Sequence, residues 1–212
     1  MKSSSVFFAI ALASAASLTH AAELVTNGSF ENPLVSGSWI PVSNLQGWVN
    51  ATESTIEIQT SGLGYITAAN GNQYMELNGN LPSYVHTTAL ATVAGDSYTF
   101  SFAYAGRSDG GTNTIDVLWD GSVIQAALNA PSTSAWTYYN FTVIAQGNDT
   151  AGFSSIPYGG GSYGNFIDNV SVVGPTAPPS RRSAFRSTGF GGGVWVFFGA
   201  RLPMACKPET PA

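Results

Sequence analysis

Between residues 23 and 174 the chain carries eleven Asp and Glu side chains against one base, Arg107, a net balance of −10. Such a body repels phosphate, which makes nucleic acid and anionic membrane surfaces poor partners. It has carboxylates to spare for a hard cation, which takes about six to eight oxygens from carboxylates, carbonyls and water. A second chemistry is carried by aromatic side chains that loops would hold out. Tyr65 follows Gly62 and Gly64, and Tyr84 follows Pro82-Ser83 and sits beside His86. Tyr158 and Tyr163 bracket Gly159–Ser162. These rings, with His86, are the candidate ligand contacts, since a sugar is held by an aromatic face plus hydrogen-bonding groups. Most of the other aromatics, Trp48 and Trp136 among them, should pack as core.

Catalytic chemistry finds less support. Gly106–Gly110 (GRSDG) fits the G-x-S-x-G expression. A nucleophile elbow needs a helix after the turn and a later His. Here the pattern that follows is a strand, and His86, the only His between 23 and 174, comes earlier. One His and no thiolate cannot build a His/Cys zinc site. Glu53, Glu57 and Glu76 could in principle supply a glycosidase pair, but their spacing does not distinguish them from polar strand positions. The expectation is no catalytic residue and no enzyme activity.

The elements that must position these groups are strands. No 3.6-residue period persists, whereas short alternating runs recur between Asn-Gly and Asp-Gly turns, the pattern of a β-sandwich. Strands are expected near Leu24–Val25, Gly47–Asn50, Thr55–Gln59, Gln73–Leu77, Tyr84–Val93, Ser97–Tyr104, Thr114–Trp119, Ser122–Ala126, Ala135–Ala145, Thr150–Ser154 and Phe166–Val173. In Tyr98–Tyr104 the four aromatics share one face, and so do Ile115, Val117 and Trp119. A one-residue slip would expose either row, which fixes the register.

Residues 1–22 read as a secretory signal peptide. Lys2 precedes an apolar run, Val6 to Leu18, too short to span a bilayer, and small residues follow it. Residues 23–174 form the expected domain. At this size a core needs no disulfide, and the single Cys206 lies in the tail. The tail, 175–212, opens with PTAPP and holds five bases against one acid, unlike the body; it is expected to be non-globular.

The ordered pieces Leu24–Glu31 (LVTNGSFE), Gly47-Trp48, Asn70–Gly79 (NGNQYMELNG), Gly95–Gly106 (GDSYTFSFAYAG), Trp136–Phe141 (WTYYNF) and Phe166–Val172 (FIDNVSV) resemble secreted bacterial galactose-binding-like domains. These include the choice-of-anchor type, the type found with a Pro-Glu-Pro sorting signal, and domain of unknown function 642; carbohydrate-binding modules are relatives. The resemblance implies a two-sheet jelly roll with first and last strands side by side. It also implies a structural Ca²⁺ near Glu31 and Asp168, with carbonyls near Asn27–Ser29 and a third carboxylate, Glu57. The alternative for the same residues is that Glu31 caps a turn and Asp168 bonds backbone amides. Against the family, Pro178-Pro179 replaces Pro-Glu-Pro and the Arg cluster precedes the apolar run, so the tail reads as a degenerate or frameshifted sorting signal.

The resulting expectation is an all-β, exported, non-catalytic module, located outside the cell or on its surface. It would bind extracellular or cell-wall polysaccharide, acidic or neutral, with Ca²⁺ as a structural ion. The alternatives are an adhesive surface or matrix protein acting through protein contacts and, more weakly, a carbohydrate-active hydrolase.

Overall fold

The computed structural model describes residues 21–110 and 113–174. Residues 1–20, most of the segment expected to be a signal peptide, and the expected tail from 175 lie outside the described residues. Eleven strands form two antiparallel sheets, a jelly-roll sandwich. They are β1 (Trp39–Val42), β2 (Trp48–Asn50), β3 (Ile56–Thr60), β4 (Gln73–Glu76), β5 (Tyr84–Thr87), β6 (Ser97–Ala105), β7 (Thr114–Trp119), β8 (Ser122–Asn129), β9 (Thr137–Ile144), β10 (Ala151–Ser154) and β11 (Phe166–Val173). One sheet runs β1-β3-β4-β11-β6-β9 and the other β2-β5-β10-β7-β8. Among the described residues no helix is long and apolar enough to cross a membrane.

The core lies where the alternation puts it. Tyr98, Phe100, Phe102 and Tyr104 of β6 point inward, as do Ile115, Val117 and Trp119 of β7. Phe102 meets Phe153 of the opposite sheet edge-on at 4.8 Å, a favoured geometry for two rings. Each such fully buried apolar side chain contributes about 1.5–3 kcal/mol. Trp48 packs in this core against Phe30, their rings 5.3 Å apart.

Three differences from the expected strands have physical reasons. Leu24–Val25 forms no strand, but Glu23 bridges to Val173 and the Leu24 amide donates to Val172 O at 3.0 Å, so the two ends of the domain do lie together. Strand β5 stops at Thr87; beyond it the amides of Thr88 and Leu90 bond the carbonyls of Gly47 and Asp149, just outside the neighbouring β2 and β10. Strand β1, at the sheet edge, was absent from the sequence pattern; none of its four side chains is buried.

The six-stranded sheet also has a partly covered outer face. The chain from the 3-10 turn Ser61–Leu63 through Ala68 crosses it and buries a small second cluster. Ile66, Tyr74, Ala105 and Phe166 form that cluster, with Tyr65, Ala68 and Trp136 at its margin. Trp136 therefore packs outside the sheet, not between the sheets, and its Nε1 donates to Thr67 O at 2.7 Å, holding the crossing segment down. In β11 the pairing with β6 shifts between Asp168 and Ser171, with Asn169 at φ +50. This bulge changes the phase of the strand: Ile167 faces the core before it, and Val170 and Val172 after it.

Candidate functional site

On the β1–β3 side of the crossing segment, the outer face opens into a cleft of about 290 Å³. Its floor comes from β3, where Ile56 and Ile58 turn into the core and Glu57 and Gln59 face out. Strand register sets Glu57 directly opposite Glu76 of β4. Two like charges in that position repel each other, and two groups relieve the repulsion. Gln59 Nε2 donates to Glu57 Oε2 at 2.9 Å and, in a short bond, to Glu76 Oε2. Arg107 Nη1 donates to Glu76 Oε1 at 2.6 Å, as does the amide of Gly164, also at 2.6 Å.

Glu76 is completely buried. Burial pushes its carboxyl up to about 7, although the Gly164 amide and Arg107 act against the shift. Arg107, the body's one base, is itself used up. Its Nε bonds Asp109 Oδ1 at 2.6 Å, and its Nη2 bonds the Tyr65 hydroxyl at 2.7 Å. The Tyr65 hydroxyl in turn donates to Asp109 Oδ2 at 2.5 Å. Burial lowers the guanidinium's affinity for its proton, but Asp109 and Glu76 outweigh it and the net shift is upward. The Arg107 bond holds the Asp109 carboxyl below its ordinary range. The guanidinium carbon lies 4.5 Å from the centre of the Tyr65 ring and 4.7 Å from that of Tyr163, both within cation–π range. Trp39 and Tyr163 complete the cleft, 45% and 46% exposed.

A second groove of about 500 Å³ lies on the other side of the crossing segment, along Tyr65–Ala69, Trp136 and Tyr138. Tyr65 lines both openings.

Of the ring candidates from sequence, the structure brings Tyr65 and Tyr163 together at Arg107. Tyr84 and His86 are not with them; they stand on the outer face of the five-stranded sheet, opposite Ser154 and Gly152 of β10, their rings 5.3 Å apart. Tyr158 also leaves the cleft. Its hydroxyl donates to Asp116 Oδ1 at 2.5 Å and accepts from the Ala127 amide at 2.9 Å, which fastens it to the β7–β8 hairpin. Sequence reasoning missed Trp39, Gln59, Glu76 and Arg107 as site residues. Part of the signal was present in Ile56–Thr60, whose alternation leaves a polar face of Glu57 and Gln59.

Glu31 and Asp168 meet around one loop. Asp168 Oδ2 accepts the amides of Ala69 and Asn70 at 2.7 and 2.9 Å, and its Oδ1 accepts that of Asn169 at 2.6 Å. Glu31 Oε1 accepts the amides of Asn72 and Gln73 at 2.7 and 2.9 Å. Burial pushes Asp168 up to about 7, and the charge of Glu31 adds to the rise. These two carboxylates have the chemistry of Ca²⁺ ligands, but Glu57 is not their third. It stands opposite Glu76, at the other end of β4 from Gln73. Among the described residues no group of three or more His, Cys, Asp or Glu gathers as a metal site.

Gly106–Gly110 forms a loop leading into β7, and Arg107 and Asp109 are tied into the cleft network described above. No helix follows Ser108, so the loop is not a nucleophile elbow.

No family model matches the chain. It is 27% identical over 172 residues to halomucin from Haloquadratum walsbyi, a match to 73% of this chain that spans only 2% of that protein's length. A tandem pair of family 22 carbohydrate-binding modules from Paenibacillus barcinonensis has a similar fold. Its TM-score is 0.50 at 13% identity, over 78% of this chain and 50% of the tandem. A family 35 carbohydrate-binding module from the same organism aligns with a TM-score of 0.42 at 19% identity, over 64% of this chain and 98% of its own.

Proposed function

We propose that this chain is a non-catalytic glycan-binding module and that the Trp39–Tyr163 cleft is its binding site. The observation that carries the reading is the pairing of two half-exposed rings with fixed polar groups in one concavity. Aromatic faces take the apolar face of a sugar ring, and buried polar groups set its orientation. Gln59 Nε2 donates to the Glu57 carboxylate, which holds both side chains in place and preorganises them to meet hydroxyl donors. The fold likeness to carbohydrate-binding modules supports the same reading. So do the opening and closing motifs Leu24–Glu31 and Phe166–Val172, by which we place the chain with exported bacterial galactose-binding-like domains of the choice-of-anchor type.

A hydrolytic role for the two facing carboxylates has less behind it. Glu76 is fully buried and bound to Arg107, out of reach of a glycosidic oxygen. A structural Ca²⁺ beside Glu31 and Asp168 belongs to the proposal; what supports it is two carboxylates close enough for the charge of Glu31 to be felt at Asp168.

The test is affinity electrophoresis of the full chain across a polysaccharide panel, alongside Trp39→Ala and Tyr163→Ala. Retardation by at least one polymer, lost in both variants, is the expected result. No retardation by any polymer, or retardation unchanged in both variants, overturns the assignment.

A further inference from the structure

We infer that the cleft selects amino sugars: glycans with a free ammonium group, as in glucosamine oligomers, over neutral ones, and that it rejects uronates. The inference rests on the glycan-binding reading and names its ligand class.

The first argument is charge. Glu57, Glu76 and Asp109 meet a single cation, Arg107. That cation is not free to clamp an anion. Its Nε, Nη1 and Nη2 already bond Asp109, Glu76, Tyr65 and again Asp109, and two tyrosine rings lie within cation–π range of it. Of these acids Glu57 lines the cleft, and with Arg107 already paired it is the charge left to meet a ligand. A uronate or sulfated sugar would bring a like charge into a semi-enclosed site with no donor fork to receive it.

The second argument is hydrogen-bond polarity, and it is independent of the first. Gln59 is completely buried and forms part of the cleft wall. Its amide nitrogen is committed to Glu57 and Glu76, which turns its Oε1 the other way, and that oxygen has no hydrogen-bond partner. A buried acceptor without a donor costs about 1–3 kcal/mol. The assignment of oxygen and nitrogen within the amide follows from chemistry, since the reverse would aim the oxygen at two carboxylates. The groups at the cleft wall with acceptor capacity to spare are therefore the partly exposed Glu57 carboxylate and the buried Gln59 Oε1. A ligand that fits supplies donors: hydroxyls and, best matched to the net charge, an ammonium.

The third argument is the rings. Trp39 and Tyr163 accept either a sugar face or a cation, and an ammonium beside an aromatic face gains cation–π attraction as well as ion pairing. Two like charges face to face are a liability in a sheet, and a cationic ligand would add to the relief that Gln59 and Arg107 already give.

Isothermal titration of the full chain with four tetrasaccharides tests this: glucosamine, N-acetylglucosamine, glucose and galacturonate oligomers. The glucosamine oligomer should bind at least tenfold more tightly than the two neutral ones, and the galacturonate oligomer should not bind. Glu57→Gln should remove most of the tenfold preference, so that the glucosamine oligomer binds no more than about twofold more tightly than the two neutral ones. It should not unfold the domain, because it removes one of two opposed charges; a melting curve checks this. Asp120→Asn, in the β7–β8 turn, keeps the left-handed backbone and should change nothing, which separates the cleft from the general acidity of the body. Equal or tighter binding of a neutral oligomer, binding of galacturonate, or an unchanged preference in Glu57→Gln overturns the inference and leaves glycan binding standing. Binding of none of the four overturns the inference, and if the polysaccharide panel is also negative the glycan reading falls with it.

Discussion

Glu31 and Asp168 grip the same short loop from opposite ends of the chain, Asp168 through the amides of Ala69 and Asn70 and Glu31 through those of Asn72 and Gln73. Gly71 sits between the two grips at φ +76, and a Cβ there would clash with Glu31 Oε1. Gly71→Ala therefore strains the backbone and pushes on a carboxylate that two amides hold in place. A cost of about 2 kcal/mol is expected, combining left-handed strain with loss of about one hydrogen bond. In a Glu31→Ala background the steric part disappears, so the two substitutions should be strongly non-additive in chemical denaturation. Simple additivity would show that the loop does not depend on this contact.

That loop shows what the sequence could reveal. Asp168 and Glu31 belong to the closing and opening motifs, and their proximity was legible from the family pattern. Which of their oxygens the amides take was not, because it depends on the path of 69–73 past the β11 bulge, and nothing in the run FIDNVSV announces where that register shift falls. The rows of β6 and β7 were legible because a two-residue period with large rings leaves one burial solution. The cleft was not. Trp39 lies on an edge strand whose side chains are all at least partly exposed, so no alternation announces it. Arg107 read as an isolated charge, since Glu76 and Tyr65 reach it only through the sheet and the crossing segment. Tyr158 and Tyr163 looked equivalent around their glycines; Asp116 captures one and leaves the other free to cover Arg107.

Two raised carboxyls set the pH dependence of stability. Glu76 and Asp168 ordinarily titrate near 4.5 and 3.8, and burial moves each to about 7 in the folded chain. Between these values the folded state holds more protons than the unfolded one, so stability falls as pH rises from about 4 to about 7 and then levels off. With chelator present, the melting temperature should be several degrees higher at pH 5 than at pH 8. Glu76→Gln and Asp168→Asn should each flatten the slope. A melting temperature that rises over this range would contradict both assignments.

Calcium would act on the same pair in the opposite direction, favouring the charged forms. If Ca²⁺ binds beside Glu31 and Asp168 and is supplied at 100-fold over its dissociation constant, it adds about 2.7 kcal/mol. For a domain of this size that is about 5–10 °C of melting temperature at pH 7.5, relative to chelator. Glu31→Gln should abolish the gain. Identical melting curves with Ca²⁺ and with chelator would remove the ion from the proposal.

The Arg107–Glu76 pair provides the sharpest test of how the cleft is held together. Glu76 is fully buried and the Arg107 side chain nearly so. Truncating one partner leaves the other charge stranded, whereas replacing both can be nearly neutral. Arg107→Met should cost about 3–5 kcal/mol, since Glu76 then keeps only the Gly164 amide and Gln59. It should also drive the Glu76 carboxyl further up and steepen the loss of stability toward neutral pH. Adding Glu76→Gln should restore most of the loss, because a neutral amide needs no counter-charge. It should not restore binding, as Arg107 also fastens Tyr65 and Asp109 and supports the Tyr163 ring. Stability recovered without binding is the outcome expected if the ion pair serves to fix the aromatic wall of the cleft. Full recovery of both would mean that the wall forms without it.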